Sequence, residues 1–421
     1  MIFFLFFLLF APYFIVLDYQ IPSGHIVYLS ILLIYFLTQK KHVITVPNEP
    51  IFFAICVFSA VCAILILFNS IKRGDIDLKL LRLILDPFII YFASRYVFLA
   101  YKSDFGSDGF AKLIMSLSAL NFLNAFVIYM SFASEIFRSN FYSVVQVNPK
   151  VFEYPVPRYS GFLYDGFSYS STLMSLITIT CYILYLKSRV ASPSSILLLH
   201  ILTIPASLLA GRMGVIILSV YFLFMFLVRF FSFLNAPFFS QKKFIFISIF
   251  VIFFIALTVK IYGISGPFGE HFKYSLRFIT NIFNGGNFND STAIELVSNH
   301  YFLPGDISTL LIGGGYLIDW PLGTSRPDPA VTLAIFAFGL VGFILYLGVL
   351  ISPLFNIIKR RIMIRGLPAQ YVGLIFVFFL LLFKDAYIFY PYPHFFLFFL
   401  CAFTISIPNF NQNLRGMVNR S

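Results

Sequence analysis

Residues 196–228 read ILLLHILTIPASLLAGRMGVIILSVYFLFMFLV. A helix crossing a bilayer needs about 20 mostly apolar residues, so this run is too long for one crossing. Its one charge is Arg212, within Ala210-Gly211-Arg212-Met213-Gly214. An arginine at the bilayer midplane costs at least about 2.5–3.5 kcal/mol, which places Arg212 at a tight turn between two spans, 194–210 and 213–231.

The same reading extends over the whole chain. Of its 421 residues, 60% are hydrophobic and 11% charged, with a mean hydropathy of +0.92. A soluble domain carries about 25% charged residues, and the apolar surplus here exceeds what a globule of this size can bury. Phe alone contributes 58 residues, which suits a lipid solvent. The net charge of +12 gathers in short clusters between apolar runs, as loop anchors do, and does not point to nucleic acid. Cys56, Cys62, Cys181 and Cys401 lie within apolar runs without a CxxC or a His-rich partner, so neither a disulfide framework nor a metal site is indicated. The opening MIFFLFFLLFAPYFIVL lacks the basic start and A-x-A exit of a cleaved leader and reads as a first, retained helix.

The expected fold is an all-α polytopic membrane protein, a single integral membrane domain of about twelve transmembrane helices. The spans fall near 2–17, 25–38, 51–69, 80–99, 110–134, 166–186, 194–210, 213–231, 244–262, 329–354, 369–384 and 393–408. The second and eleventh are short, which leaves ten or eleven open. Basic residues anchor cytoplasmic loops. Lys40–Lys41, Lys187 with Arg189, Lys242–Lys243, Lys359 to Arg365, and Arg415 with Arg420 occupy alternate connections, which puts both termini in the cytoplasm. Two large loops, 135–165 and 263–328, then lie outside, in the periplasm if the cell is Gram-negative. Lys72, Arg73, Lys79 and Arg82 break the pattern by being basic yet external.

Loops carry function more often than their scaffold. The longer one holds Glu270, His271, Arg277, Asp290, Glu295, His300, Asp306, Asp319, Trp320, Arg326 and Asp328. A structureless loop of that length is improbable, so short helices along the membrane surface are expected within it. Several external arginines suggest a phosphate-type anion, because guanidinium forks match its oxygens. For Arg212 the choice lies between a snorkelling interfacial cation and an anion clamp flanked by glycines. Arg158, in Pro157-Arg158-Tyr159-Ser160-Gly161, is either paired with Asp165 or Glu153 or part of the same recognition. Arg277 either anchors a surface helix to anionic headgroups or joins the other two. Asp328 either caps the tenth helix, with Pro329 in its first turn, or serves as general base. His300 and Glu295 are weaker candidates. Asp86 and Asp385 are costly inside lipid; Asp385 adjoins Lys384. There is no P-loop and no GxGxxG after a strand.

Four features occur in a definite order: Arg158-Tyr159-Ser160-Gly161 ahead of a helix, the Ala-Gly-Arg212 turn, a long loop ending in Gly313-Gly314-Gly315-Tyr316, and Asp328 followed by Gly339-Leu340-Val341-Gly342. In this order, mostly over 155–345, the chain resembles the O-antigen polymerases (the Wzy family) and, more distantly, the O-antigen ligases. The ligase pattern has a His where this chain has Asp328-Pro329 ahead of Gly339 and Gly342, which favours polymerisation over ligation. The resemblance implies a metal-independent, cofactor-free glycosyltransferase of the bacterial inner membrane. It would transfer a growing glycan from undecaprenyl diphosphate onto a new lipid-linked repeat unit, with a chain-length regulator as a further partner. It implies that Arg158, Arg212 and Arg277 offset the leaving diphosphate and that Asp328 or a nearby carboxylate assists the acceptor hydroxyl, with Tyr159, Lys72, Arg73, Glu295, His300 and Arg326 binding substrate. The rivals are a ligase, and a flippase of the same lipid-linked unit. A flippase should place charged or broken-helix sites near the midplane, whereas most polar residues here lie in external loops.

Overall fold

The computed structural model describes residues 2–10, 12–16, 19–22, 30, 33, 49–74, 78–105, 108–147, 158–163, 167–188, 193–233, 269–270, 302–315, 329–359, 367–384 and 394–400. They are mostly helical. In order they form α1 (Ile2–Phe10), β1 (Tyr13–Val16), β2 (Tyr19–Pro22), α2 (Pro50–Arg73), α3 (Leu78–Phe105), α4 (Gly109–Ala133), α5 (Glu135–Val144) and β3 (Val145–Gln146). Then come α6 (Phe167–Ser188), α7 (Pro193–Ala210), α8 (Met213–Phe233), α9 (Ile307–Ile312), α10 (Ala330–Lys359), α11 (Leu367–Lys384) and a last segment α12 over 394–400. Among the described residues, four stretches are long and apolar enough to cross a membrane: Pro50–Arg73, Ile84–Tyr101, Ala111–Ala133 and Ala330–Phe355. The expected span at 244–262 lies outside the described residues, as does that at 25–38 apart from residues 30 and 33.

α2 shows why the bundle suits lipid. Its buried positions, Ile51, Ile55, Phe58, Ser59, Cys62, Ile66, Asn69 and Ser70, recur at helical spacing and include three polar side chains. Its outward face is Phe53, Ile64, Leu67, Phe68 and Ile71, the last 83% exposed. Water would demand the reverse arrangement; a hydrocarbon solvent favours this one. Pro50 stands at the helix start, where a missing N–H costs nothing. Gly74 ends it with φ 81 and an N–H bonded to the Ser70 carbonyl at 2.8 Å. Lys72 and Arg73 fall in that last turn, where cations offset the helix dipole. That gives Lys72 and Arg73 a local role on whichever side of the membrane they lie.

The neighbouring helices pack antiparallel. Ser59 Oγ donates to the Ile84 carbonyl of α3 at 3.1 Å, one turn before Pro87, which lies inside that helix. Phe58 of α2 meets Phe338 and Tyr346 of α10 edge-on. α4 pairs with α6 through Asn121 to Met174 and Asn124 to Ser170. The ends of α2 and α4, the starts of α6, α8 and α10, and the short α9 therefore gather at one end of the bundle.

Two expectations need correction. The first run, 2–17, is not one helix: Ile2–Phe10 is helical, and Tyr13–Val16 pairs antiparallel with Tyr19–Pro22 and with Val145–Gln146, in strand order β2-β1-β3. Pro12 has no N–H to continue the helix and disfavours helical backbone before it, and Tyr-Phe-Ile-Val is a strong strand sequence. The first large loop is also structured at its start. Ser134 Oγ accepts from Phe137 N at 3.2 Å and caps α5. Within residues 263–328, Ile307–Ile312 forms the short helix α9.

A buried ion pair lies at the far end of α2. Tyr91 donates to Glu49 Oε2 at 2.6 Å, and Arg95 Nη1 reaches Glu49 Oε1 at 2.5 Å. Breaking a buried pair by deleting one member costs about 3–5 kcal/mol, less here because the Arg95 side chain remains 27% exposed. Glu49→Ala is expected to destabilise by about 2 kcal/mol and Glu49→Ala/Arg95→Met by less. Thermal unfolding of the two variants in detergent tests this, and equal losses would refute the pairing account.

Candidate functional site

Two short turns at the gathered end carry the arginines that the sequence singles out. In the first, residues 158–163, the backbone is pinned by bonds to three other segments and to itself. Tyr159 N donates to the Leu209 carbonyl at 3.4 Å, Ser160 N to the Tyr142 hydroxyl at 3.3 Å, Phe162 N to Asn124 Oδ1 at 3.1 Å, and Leu163 N to the Ser160 carbonyl at 3.4 Å. Gly161 has φ +63, and a Cβ there would stand 2.1 Å from Asn124 Oδ1. Glycine is therefore required both for the left-handed backbone and for the approach to α4.

The second turn, Gly211–Arg212, joins α7 to α8. Ser171 Oγ of α6 donates to the Gly211 carbonyl at 2.6 Å and accepts from Gly214 N at 2.8 Å. Ser175 Oγ donates to the Gly214 carbonyl at 2.8 Å. A Cβ on Gly214 would meet the Ser171 carbonyl oxygen at 2.1 Å, so the turn sits directly on α6. Arg212 begins α8, its carbonyl accepting from Ile216 N at 3.2 Å. A cation there adds to the positive end of the helix dipole instead of offsetting it, so a bound anion gains from both.

The Tyr159–Leu209 backbone bond ties the first turn to the end of α7, just ahead of the second, with Arg158 and Arg212 within three residues of that contact. Both are half-buried. Sequence reading missed a third cation, Arg138 of α5. Its side chain lies 3.3 Å from Glu135 and acts electrostatically on Tyr159. Burial raises the Tyr159 hydroxyl pKa, and Arg138 partly opposes the rise; burial likewise raises that of Tyr142. Tyr159 itself is buried, edge-on to Phe132 at 5.7 Å. Phe6, Phe10 and Phe141 surround Phe162, which ties α1 and α5 to the first turn. The signal for Arg138 was the capped start Ser134-Glu135 of an amphipathic helix, absorbed in the sequence reading into a loop.

The glycine-rich stretch forms a second feature. α10 is broken at Gly339, φ 71 and ψ −178, and the break leaves carbonyls without helical partners. Gly314 N donates to the Phe336 carbonyl at 2.7 Å and Gly315 N to that of Ala337 at 3.3 Å. Asn69 Nδ2 donates to the Ile312 carbonyl at 3.3 Å. The structure thus brings Gly313-Gly314-Gly315 and Gly339, 24 or more residues apart in the chain, into one backbone junction against α2. Lys72 and Arg73 are exposed in the last turn of α2, not in the turns of Arg158 and Arg212. Pro329, buried, immediately precedes α10. Arg277, Glu295, His300, Arg326 and Asp328, like Asp165, Glu153 and Asp385, lie outside the described residues. Asp86 is half-buried in α3.

Asp306 caps α9, accepting from Thr309 N at 2.7 Å, and this bond holds its carboxyl below the ordinary value of 3.8. A depressed carboxyl pKa contributes stability above the unfolded value and loses it as pH falls through the folded one. The Thr309 amide is therefore expected to stay protected from hydrogen exchange at neutral pH and to lose protection only on acidification below about pH 4. In Asp306→Ala that protection should be low at both pH values; unchanged exchange would show that the cap does not hold α9.

Sequence reading also missed polar groups inside the apolar runs. His200 of α7 is buried between Ser118 of α4, 3.3 Å from Nε2, and Thr178 of α6, 3.0 Å from Nδ1. Tyr346 of α10 lies 2.7 Å from His394 Nε2 of α12. Each is fully partnered at the ring nitrogens involved, as buried polar groups in lipid must be, and reads as helix–helix glue. In comparisons with protein-family models, with curated proteins and with solved structures, the chain matches none.

Proposed function

We propose that the chain is a membrane glycosyltransferase of surface-polysaccharide assembly, an O-antigen polymerase by its motif order. The donor is a growing glycan on undecaprenyl diphosphate and the acceptor a new lipid-linked repeat unit. The observation that carries the reading is the hydrogen-bonded meeting of the Arg158 and Arg212 turns at one end of an apolar bundle. A pair of guanidinium groups there, with Arg138 beside them, suits a diphosphate at the membrane surface.

In the proposed reaction an acceptor hydroxyl attacks the anomeric carbon and the bond from that carbon to the diphosphate oxygen breaks. The diphosphate leaves with the bonding electrons, its charge offset by the arginines. The hydroxyl proton passes to a general base, for which Asp328 is the candidate. Arg277 is assigned to the same anion, and Glu295, His300, Arg326 and Tyr159 to the sugars.

Deleting the gene in its native strain and resolving the lipopolysaccharide on a gel tests the function. The expected result is a single repeat unit on core with the long ladder gone. Loss of every repeat unit would indicate a ligase or flippase instead, and an unchanged ladder would remove the protein from this pathway.

A further inference from the structure

We infer that Ser170 and Ser171 of α6, together with Asn124 of α4, are positioning residues that hold the Arg158 and Arg212 turns in one fixed mutual geometry; the consequence for ligand binding rests on the diphosphate reading above. Consecutive helical residues point about 100° apart, so these two serines face different neighbours. Ser170 Oγ accepts from Asn124 Nδ2 at 3.0 Å, and Asn124 Oδ1 accepts from Phe162 N at 3.1 Å. That chain of bonds runs from α6 through α4 into the Arg158 turn. Ser171 Oγ instead spans the Arg212 turn, donating to the Gly211 carbonyl and accepting from Gly214 N. Its remaining acceptor site faces Ser207 Oγ of α7 at 2.8 Å.

All four side chains are fully buried or nearly so, Ser170, Ser171 and Asn124 at 0% and Ser207 at 1% exposure. A serine in a membrane helix can satisfy itself on its own preceding turn, but the Ser171 hydroxyl bonds to the α7–α8 turn. The two arginine turns are more than 40 residues apart in the chain, and neither is held by sequence neighbours alone. Beside the Tyr159–Leu209 backbone bond, what they share is one pair of adjacent residues on α6. Recognition of one anion by two arginines requires their separation to be set before binding, because a site held loosely loses affinity to ordering. The Ser170–Ser171 pair supplies that register.

The test uses the full chain in membranes with its four native cysteines replaced by alanine. Arg158→Cys/Arg212→Cys is treated with a short bifunctional maleimide, and Asn69→Cys/Ile312→Cys, at the separate α2–α9 contact, reports that the bundle is folded. The 158–212 pair should cross-link in the parent. Ser171→Val and Asn124→Leu should each lower that yield about tenfold, the scale set by losing one buried hydrogen-bond partner, while the 69–312 yield holds. Asn124→Asp keeps the acceptor for Phe162 N and can take a bond from Ser170, so it should restore the yield. Absence of the 158–212 cross-link in a folded parent, or equal yields in all variants, overturns the proposal.

With the arginines in place, binding of farnesyl diphosphate to the purified full chain is the second measurement. Ser171→Val should weaken it about tenfold. Cross-linking that behaves as expected without any farnesyl diphosphate binding by the parent overturns the diphosphate reading and upholds the positioning. Binding that requires Arg212 but is unmoved by Ser171→Val and Asn124→Leu overturns the positioning alone.

Discussion

Arg212→Ala is expected to abolish the polymer ladder while leaving the protein in the membrane at parental abundance. The side chain is half-buried at the start of α8, on a turn whose backbone is held by Ser171 and Ser175. None of those backbone bonds runs through the arginine side chain, and the abundance of the variant in the membrane reports whether the fold is kept. On the proposed function its loss should fall on the transition state, where charge would develop on a departing diphosphate. Deleting one preorganised donor to such a charge lowers rates by about 10²–10³-fold. Arg212→Lys keeps the charge but not the two-pronged fork and should give short, sparse ladders. Lipopolysaccharide gels with an immunoblot of the membrane fraction check both. Normal polymer length in Arg212→Ala would sink the clamp.

The second large effect is on stability. Gly339 lies at φ 71 and ψ −178, a region open in practice only to glycine, and another residue there costs about 1–3 kcal/mol of backbone strain. A Cβ would also fall 2.2 Å from the Leu311 carbonyl oxygen. That atom is backbone, in the segment tied to α10 by Gly314 N and Gly315 N, and it can move only by breaking the junction. Overpacking adds about 1–3 kcal/mol. Gly339→Val should therefore cost about 2–6 kcal/mol in all. At Gly348, in the same helix, a Cβ would meet nothing within 4 Å, and Gly348→Ala should be neutral or mildly stabilising by helix propensity. Thermal unfolding in detergent separates the two: a large fall for Gly339→Val beside an unmoved Gly348→Ala. Similar melting of both would show that the break in α10 is not a packed junction.

The contrast between these glycines indicates what could be read locally. Gly339 and Gly342 stood out by their order after the glycine-rich stretch, yet nothing nearby in the chain says which of them turns left-handed. Leu311, 28 residues earlier, decides it. The Arg212 turn was legible because a lone charge in a long apolar run can be placed by its cost in lipid. The Arg158 turn was legible as a motif only; its hold on Asn124 and Tyr142 was not. Arg138 escaped notice because α5 is short and lies within what reads as a loop. Arg95, His200 and Tyr346 escaped because a polar residue in an apolar run shows no partner until helices are packed, and Glu49, just ahead of its span, because its partners lie on another helix.

The sequence by itself determined the solvent, the class and the punctuation of this protein: a mostly helical chain with helices able to span a membrane, breaks close to 74, 134 and 211, and an arginine forced into a turn. Those properties follow from apolar length, proline, glycine and the cost of charge in hydrocarbon, all of which act within about 20 residues. Tertiary structure alone decided that 13–14 pairs with 145–146, that Gly313–Gly315 closes the break in α10, and that one serine pair on α6 bonds toward both arginine turns. Such choices depend on which unsatisfied donors and acceptors meet across helices in a medium with no water to satisfy them. That meeting is a property of packing, and no local stretch of the chain contains it.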